Sequence, residues 1–165
     1  MRTFFVAASV VVLLAACGSP SGATAAASGS VTVHGTLLGK TFTPVDVTSY
    51  TQDALVYFVI SDAPGVCADL VASTVKASSS TLFFYIPDVT VGMTYGGRSV
   101  QFAEFDATCN SPAGESGSGT VTITAASATS VRGTFAFTLN SDSVTGTFVA
   151  PSCAGPPGTG AQVCR

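Results

Sequence analysis

Through residues 120–148 the apolar side chains fall on alternate positions, and a period of two selects strands over helices. Val121, Ile123 and Ala125 alternate with Thr120, Thr122 and Thr124, and Val131, Gly133, Phe135, Phe137 and Leu139 form a second row. A third row, Val144, Gly146 and Phe148, follows Asn140-Ser141-Asp142, so the two later rows read as a hairpin with a short polar turn. Val31, Val33, Gly35 and Leu37 alternate in the same way with Thr32, His34 and Thr36. Thr facing water and Val or Phe facing a core describe half-buried strands.

Leu55–Ile60 and Leu82–Ile86 are apolar on both faces, which requires a cover over the outer one. A helix near 63–76, capped by Asp62 and placing Cys67, Leu70, Val71 and Val75 at helical spacing, supplies that cover. Strands also fit Val100 to Asp106 and Lys40 to Val47, with Pro44 marking an edge. The expectation is an all-β, antiparallel β-sandwich of Ig-like or jelly-roll-like type with about seven or eight strands and one short helix. A V-x-G-T-[F/L] echo at Val33–Leu37, Val131–Phe135 and Val144–Phe148 has no fixed period, so it is not a solenoid repeat. Gly in those inward rows is expected to make room for an aromatic ring from the facing sheet.

Charge narrows the function classes. Only 9% of the 165 residues are charged, with 6 Lys+Arg against 9 Asp+Glu and a net charge of -3, which excludes a basic nucleic-acid binder. Mean hydropathy is +0.52, yet no run reaches the roughly 20 apolar residues of a membrane-spanning helix. The longest apolar run, Phe4–Ala16, follows Arg2 and has the form of a secretory signal.

Leu14-Ala15-Ala16-Cys17 resembles the lipobox of bacterial lipoproteins. The resemblance implies removal of a signal peptide, residues 1–16, and acylation (palmitate or a related chain) of Cys17. Gly18 after that Cys, in place of Asp, implies an outer-membrane rather than an inner-membrane destination. Residues 17–30 contain small residues beyond the Cys and read as a flexible tether, leaving 31–153 as the folded domain and 154–165 as a Gly/Pro-rich tail. The stretches V-x-G-T-L-x-G-K-x-F-T-P-x-D at 33–46 and V-x-G-T-F…A-P-x-C at 144–153 also resemble small bacterial envelope lipoproteins with β-sandwich bodies. That likeness implies a fold and supplies no activity.

Beyond Cys17, an exported chain should join Cys67, Cys109, Cys153 and Cys164 in two disulfides. If successive strands alternate in direction, the loops after Ile60 and Asp106 share one end, so the expected pairs are Cys67–Cys109 and Cys153–Cys164. The second pair would close the tail into a small loop. No C-x-x-C is present, so no thiolate metal site is expected.

Other motifs fall short. Gly35–Thr41 has the wrong glycine spacing for a phosphate loop, and no nucleotide or other cofactor is expected. Gly114–Ser118 lacks the second Gly of a nucleophile elbow, and His34 precedes it, on the polar face of a strand. Asp53, Asp62, Asp88 and Glu115 fall near turns and strand ends without the spacing of a calcium loop. Glu104 and Asp106, two apart on one expected strand, make an acid/base pair for glycan hydrolysis the alternative reading. Tyr57, Phe83 and Tyr85, with Phe105, either lie buried, one row under the opposite sheet and one under the helix near Leu70, or leave an exposed row that forms a candidate binding patch for an envelope protein or glycan. The favoured function is a lipid-anchored, non-catalytic binding module of the bacterial cell envelope. A purely structural surface-layer lipoprotein is the other alternative.

Overall fold

The computed structural model describes residues 29–140, 142–155 and 162–165. The expected signal peptide, Cys17 and nearly all of the expected tether lie outside the described residues. The strands are β1 (Ser30–Leu37), β2 (Lys40–Thr41), β3 (Asp46–Gln52), β4 (Leu55–Ser61), β5 (Thr74–Val75), β6 (Ser80–Ile86), β7 (Thr94–Glu104), β8 (Ala113–Ala126), β9 (Ser130–Leu139), β10 (Asp142–Pro151) and β11 (Val163–Cys164). One helix, α1 (Val66–Ala72), follows β4.

Nine strands form one antiparallel sheet in the order β2-β1-β10-β9-β8-β7-β6-β4-β3, and β11 pairs with β5 in a separate parallel ribbon. The large sheet curls until its ends meet. Ser49 of β3 bridges Ser152 just beyond β10, the Cys153 amide donates to the Ser49 carbonyl at 2.7 Å, and the Thr48 hydroxyl donates to the Pro151 carbonyl at 3.0 Å. Chain 40–52 closes the curl: β2 pairs with β1, Thr43–Val45 crosses over, and β3 pairs with β4. The single strand expected over Lys40–Val47 is therefore two strands, with Pro44 between them. Among the described residues eleven strands stand where seven or eight were expected, because two-residue strands carry no alternation to read.

The inward rows meet in one aromatic core. Phe58 of β4 lies 4.9 Å from Phe148 of β10, and Phe84 of β6 lies 5.0 Å from Phe137 of β9, ring centre to ring centre. All four rings are buried, each worth roughly 1.5–3 kcal/mol relative to exposure. Two glycines of the V-x-G-T-[F/L] echo, Gly133 and Gly146, make room for rings, but the rings come from the adjacent strand, whereas the third, Gly35 (φ 115°), lies against the Ser143 backbone with no ring beside it. Gly133 pairs directly with Phe148, and a β-carbon on Gly133 would lie 2.6 Å from that ring.

The helix is shorter than the expected 63–76. It ends at Ser73, whose left-handed backbone (φ 53°) turns the chain into β5. Asp62 does not cap it; its Oδ1 accepts from the Ser80 amide at 2.7 Å instead. The helix start is held from outside by Asp46 of β3, whose Oδ2 accepts from the Gly65 and Val66 amides at 2.9 and 3.1 Å. Its Oδ1 accepts from the Val47 and Gly29 amides at 2.8 and 3.2 Å, so one buried carboxylate ties the start of the domain to the helix. Val66 and Leu70 then pack on Val59 and Phe83, providing the cover that the doubly apolar strands require.

Candidate binding cleft

The cover leaves a gap. Between the outer face of β4 and β6 on one side and α1, β5 and Gln162, just before β11, on the other lies a cleft of about 190 Å³. Val59, Phe83, Val66, Leu70 and Phe105 form its apolar walls, and Asp69, Lys76 and Gln162 add polar groups. From the cleft, where Tyr50 forms part of the wall, the same sheet face continues into a rank of tyrosines. Tyr50, Tyr57 and Tyr85 stand directly across from one another on β3, β4 and β6. Tyr57 stacks on Tyr50 at 5.0 Å and on Phe83 at 5.5 Å, and lies 5.6 Å from Tyr85. The candidate patch Tyr57, Phe83 and Tyr85 is thus one contiguous, half-buried aromatic cluster that adjoins the cleft through Phe83 and Tyr50, both of which line it. Tyr50 belongs to it and was hidden by ending the expected strand at Val47. Burial beneath the segment at Gly155, then the neighbouring Tyr57, raises the Tyr50 phenol above its ordinary value.

Two disulfides fix the walls: Cys67–Cys153, with Cα atoms 5.7 Å apart, and Cys109–Cys164, at 5.4 Å. This corrects the expected pairs Cys67–Cys109 and Cys153–Cys164. Strand parity fails because the sheet closes on itself, so the chain leaving β10 runs beside β3 and under α1, where Cys67 sits. The tail then returns to β5, which lies against the 106–110 loop through the Cys109 Sγ contact to the Val75 carbonyl at 3.3 Å.

Asp69 sits at the cleft between opposing effects. Burial disfavours its charge, but hydrogen bonds from Arg165 and Thr74 and the charges of Arg165 and Lys76 outweigh that, and its carboxyl lies below the usual range. Arg165 Nε donates to Asp69 Oδ1, joining the residue after β11 to the helix.

The acid/base pair does not share a strand face. Strand β7 ends at Glu104, which pairs with Lys40 at 3.2 Å. Asp106 lies in the following turn, where its Oδ1 accepts from the Thr108 hydroxyl at 2.7 Å and from the Thr108 and Asn110 amides at 2.8 and 3.0 Å. Those bonds hold its carboxyl below the ordinary value, as the Tyr95 and Thr90 hydroxyls do for Asp88. His34 is exposed on β1 opposite Thr145. Gly35–Thr41 is the β1–β2 hairpin with Gly39 at φ 68°, and Gly114–Ser118 is continuous strand within β8. Glu115 faces Phe102 across that strand pair, with Oε2 buried and unpartnered among the described residues. Among the described residues no three His, Cys, Asp or Glu side chains are grouped to hold a metal, and no helix is long and apolar enough to cross a membrane. Comparison of the chain with protein-family models, curated proteins and solved structures finds no match.

Proposed function

We propose that this chain is a bacterial envelope lipoprotein, anchored through acylated Cys17, whose body is a non-catalytic binding module. The observation that carries the binding reading is the cleft beside the tyrosine rank. It is an apolar, aromatic-walled recess whose roof is held by covalent bonds, the form of a preorganised recognition site. Opposed halves of the curled sheet pack across the Phe58, Phe84, Phe137 and Phe148 core as the two layers of a sandwich would, and the sandwich description of the body rests on that packing. The anchor reading rests on Leu14–Cys17 and on the small-residue tether, which gives a reach of roughly 20 Å as a random coil. The outer membrane is the favoured location on the strength of Gly18. The partner class is an envelope protein or glycan.

The test is a cross-linking pull-down from envelope extract with the lipidated chain as bait. A reproducible protein or glycan partner that is lost in Tyr57→Ala and Phe83→Ala variants supports the binding module. Capture that is indifferent to both changes moves the site elsewhere, and a blank favours a structural surface role. Palmitate labelling addresses the anchor separately, because a Cys17→Ser chain that still takes up label overturns it.

A further inference from the structure

The roof of the cleft is made of unlike parts. Helix α1 is held by Asp46 through two amides, by packing of Val66 and Leu70, and by a disulfide whose Cys153 packs within the same apolar cluster. Residues 162–165 have no such packing: Gln162, Val163, Cys164 and Arg165 are all exposed. Their attachments are the Val163 amide to the Ser73 carbonyl at 2.9 Å, the Arg165 amide to the Val75 carbonyl at 3.0 Å, the Ala77 amide to the Arg165 carbonyl at 2.9 Å, the Arg165–Asp69 ion pair, and the Cys109–Cys164 bond. Three backbone hydrogen bonds and one exposed ion pair do not outweigh the entropy of ordering such a segment. The disulfide is what keeps it in place.

We infer that residues 162–165 are a redox-released strap at the rim of the cleft, which they reach through Gln162: reduction of Cys109–Cys164 lets them lift off β5 and opens the recess at Gln162 and Asp69. The inference rests on the cleft being the binding site. The reductant is a dithiol of the thioredoxin type. Its thiolate attacks the exposed Cys164 sulfur, the Cys109 thiolate leaves, and the resulting mixed disulfide is resolved by the second thiol. Two electrons pass to the protein, one S–S bond breaks, two S–H bonds form with two protons taken up, and the dithiol becomes a disulfide. Cys67–Cys153 reacts later, since both its residues are half-buried.

The Lys76–Ala77 peptide bond reports the strap directly, because the Ala77 amide is tied to Arg165. In the full chain, Cys109→Ser/Cys164→Ser should be cut by trypsin after Lys76 about tenfold faster than wild type, with cutting after the exposed Lys40 unchanged. An unchanged Lys76 rate in a double variant with a wild-type far-UV spectrum overturns the inference. Titration of the wild-type protein with dithiothreitol, followed by alkylation and peptide mapping, gives a second test without mutation. Cys109 and Cys164 should be labelled first, whereas earlier labelling of Cys67 and Cys153 overturns the order. Neither readout needs a ligand, so failure of the strap and failure of the binding-module reading remain distinguishable.

Discussion

The Phe135 ring occupies the space that a side chain on Gly146 would fill: the two residues face each other across β9 and β10, and a β-carbon on Gly146 would lie 2.4 Å from the tip of the ring. Gly133 and Phe148 repeat the arrangement in the opposite sense, two register positions along. Each glycine lets a ring lie flat over its neighbouring strand, and together they lock the hairpin register, since a one-residue slip would turn both rings outward. Gly146→Ala should destabilise the chain by about 1–3 kcal/mol through overpacking. Phe135→Leu should recover part of that loss when combined with it and lose stability alone. Urea unfolding of the four variants measures the coupling.

Asp46 holds four amides from three separated segments with one buried carboxylate. Asp46→Ala leaves those donors buried or forces them to water, and should lower stability by about 3 kcal/mol or more. The loss should be local at first. Hydrogen exchange should accelerate at Gly65 and Val66 while amides in β8 and β9 keep their protection.

The disulfide connectivity predicts a definite tryptic species. Non-reducing digestion should release peptides 41–76, 99–132 and 133–165 as one covalent trimer, because Cys153 and Cys164 lie on the same peptide and reach Cys67 and Cys109. The pairs expected from strand parity would instead give a dimer of 41–76 with 99–132. In Cys164→Ser, 41–76 should stay joined to 133–165 and 99–132 should come free. Each crosslink, closing 86 and 55 residues of sequence, is worth about 4–5 kcal/mol in the loop-entropy account.

Asp69 makes stability depend on acid pH. Its folded value is depressed below the unfolded one, so its contribution is present above the unfolded value, near 4, and is lost as pH falls through the folded value. Wild type should exceed Asp69→Asn in stability at pH 7, by under about 1 kcal/mol because Arg165 is exposed. The gap should close below about pH 4, with denaturation midpoints at pH 7, 4 and 2.5 providing the measurement.

Alternation sufficed for β9, β10 and most of β1, because a half-buried strand writes its inward face into the sequence at period two. The doubly apolar runs at 55–60 and 82–86 likewise announced a covered outer face, and Asp62–Val75 announced a helix to cover it. What alternation could not convey was closure. The Gly/Ser stretch at 114–119 lies in β8 with little apolar signal, and β2, β5 and β11 are too short to show any. Whether β3 returns beside β10 depends on curl summed over nine strands, a property of no single segment. That closure sets Cys153 beside Cys67, whereas the β3–β4 and β4–β6 pairings bring Asp46 to the start of α1 and align Tyr50 with Tyr57 and Tyr85. Local residue choice determined the strands, whereas long-range pairing decided which of them became neighbours and where the cleft lies.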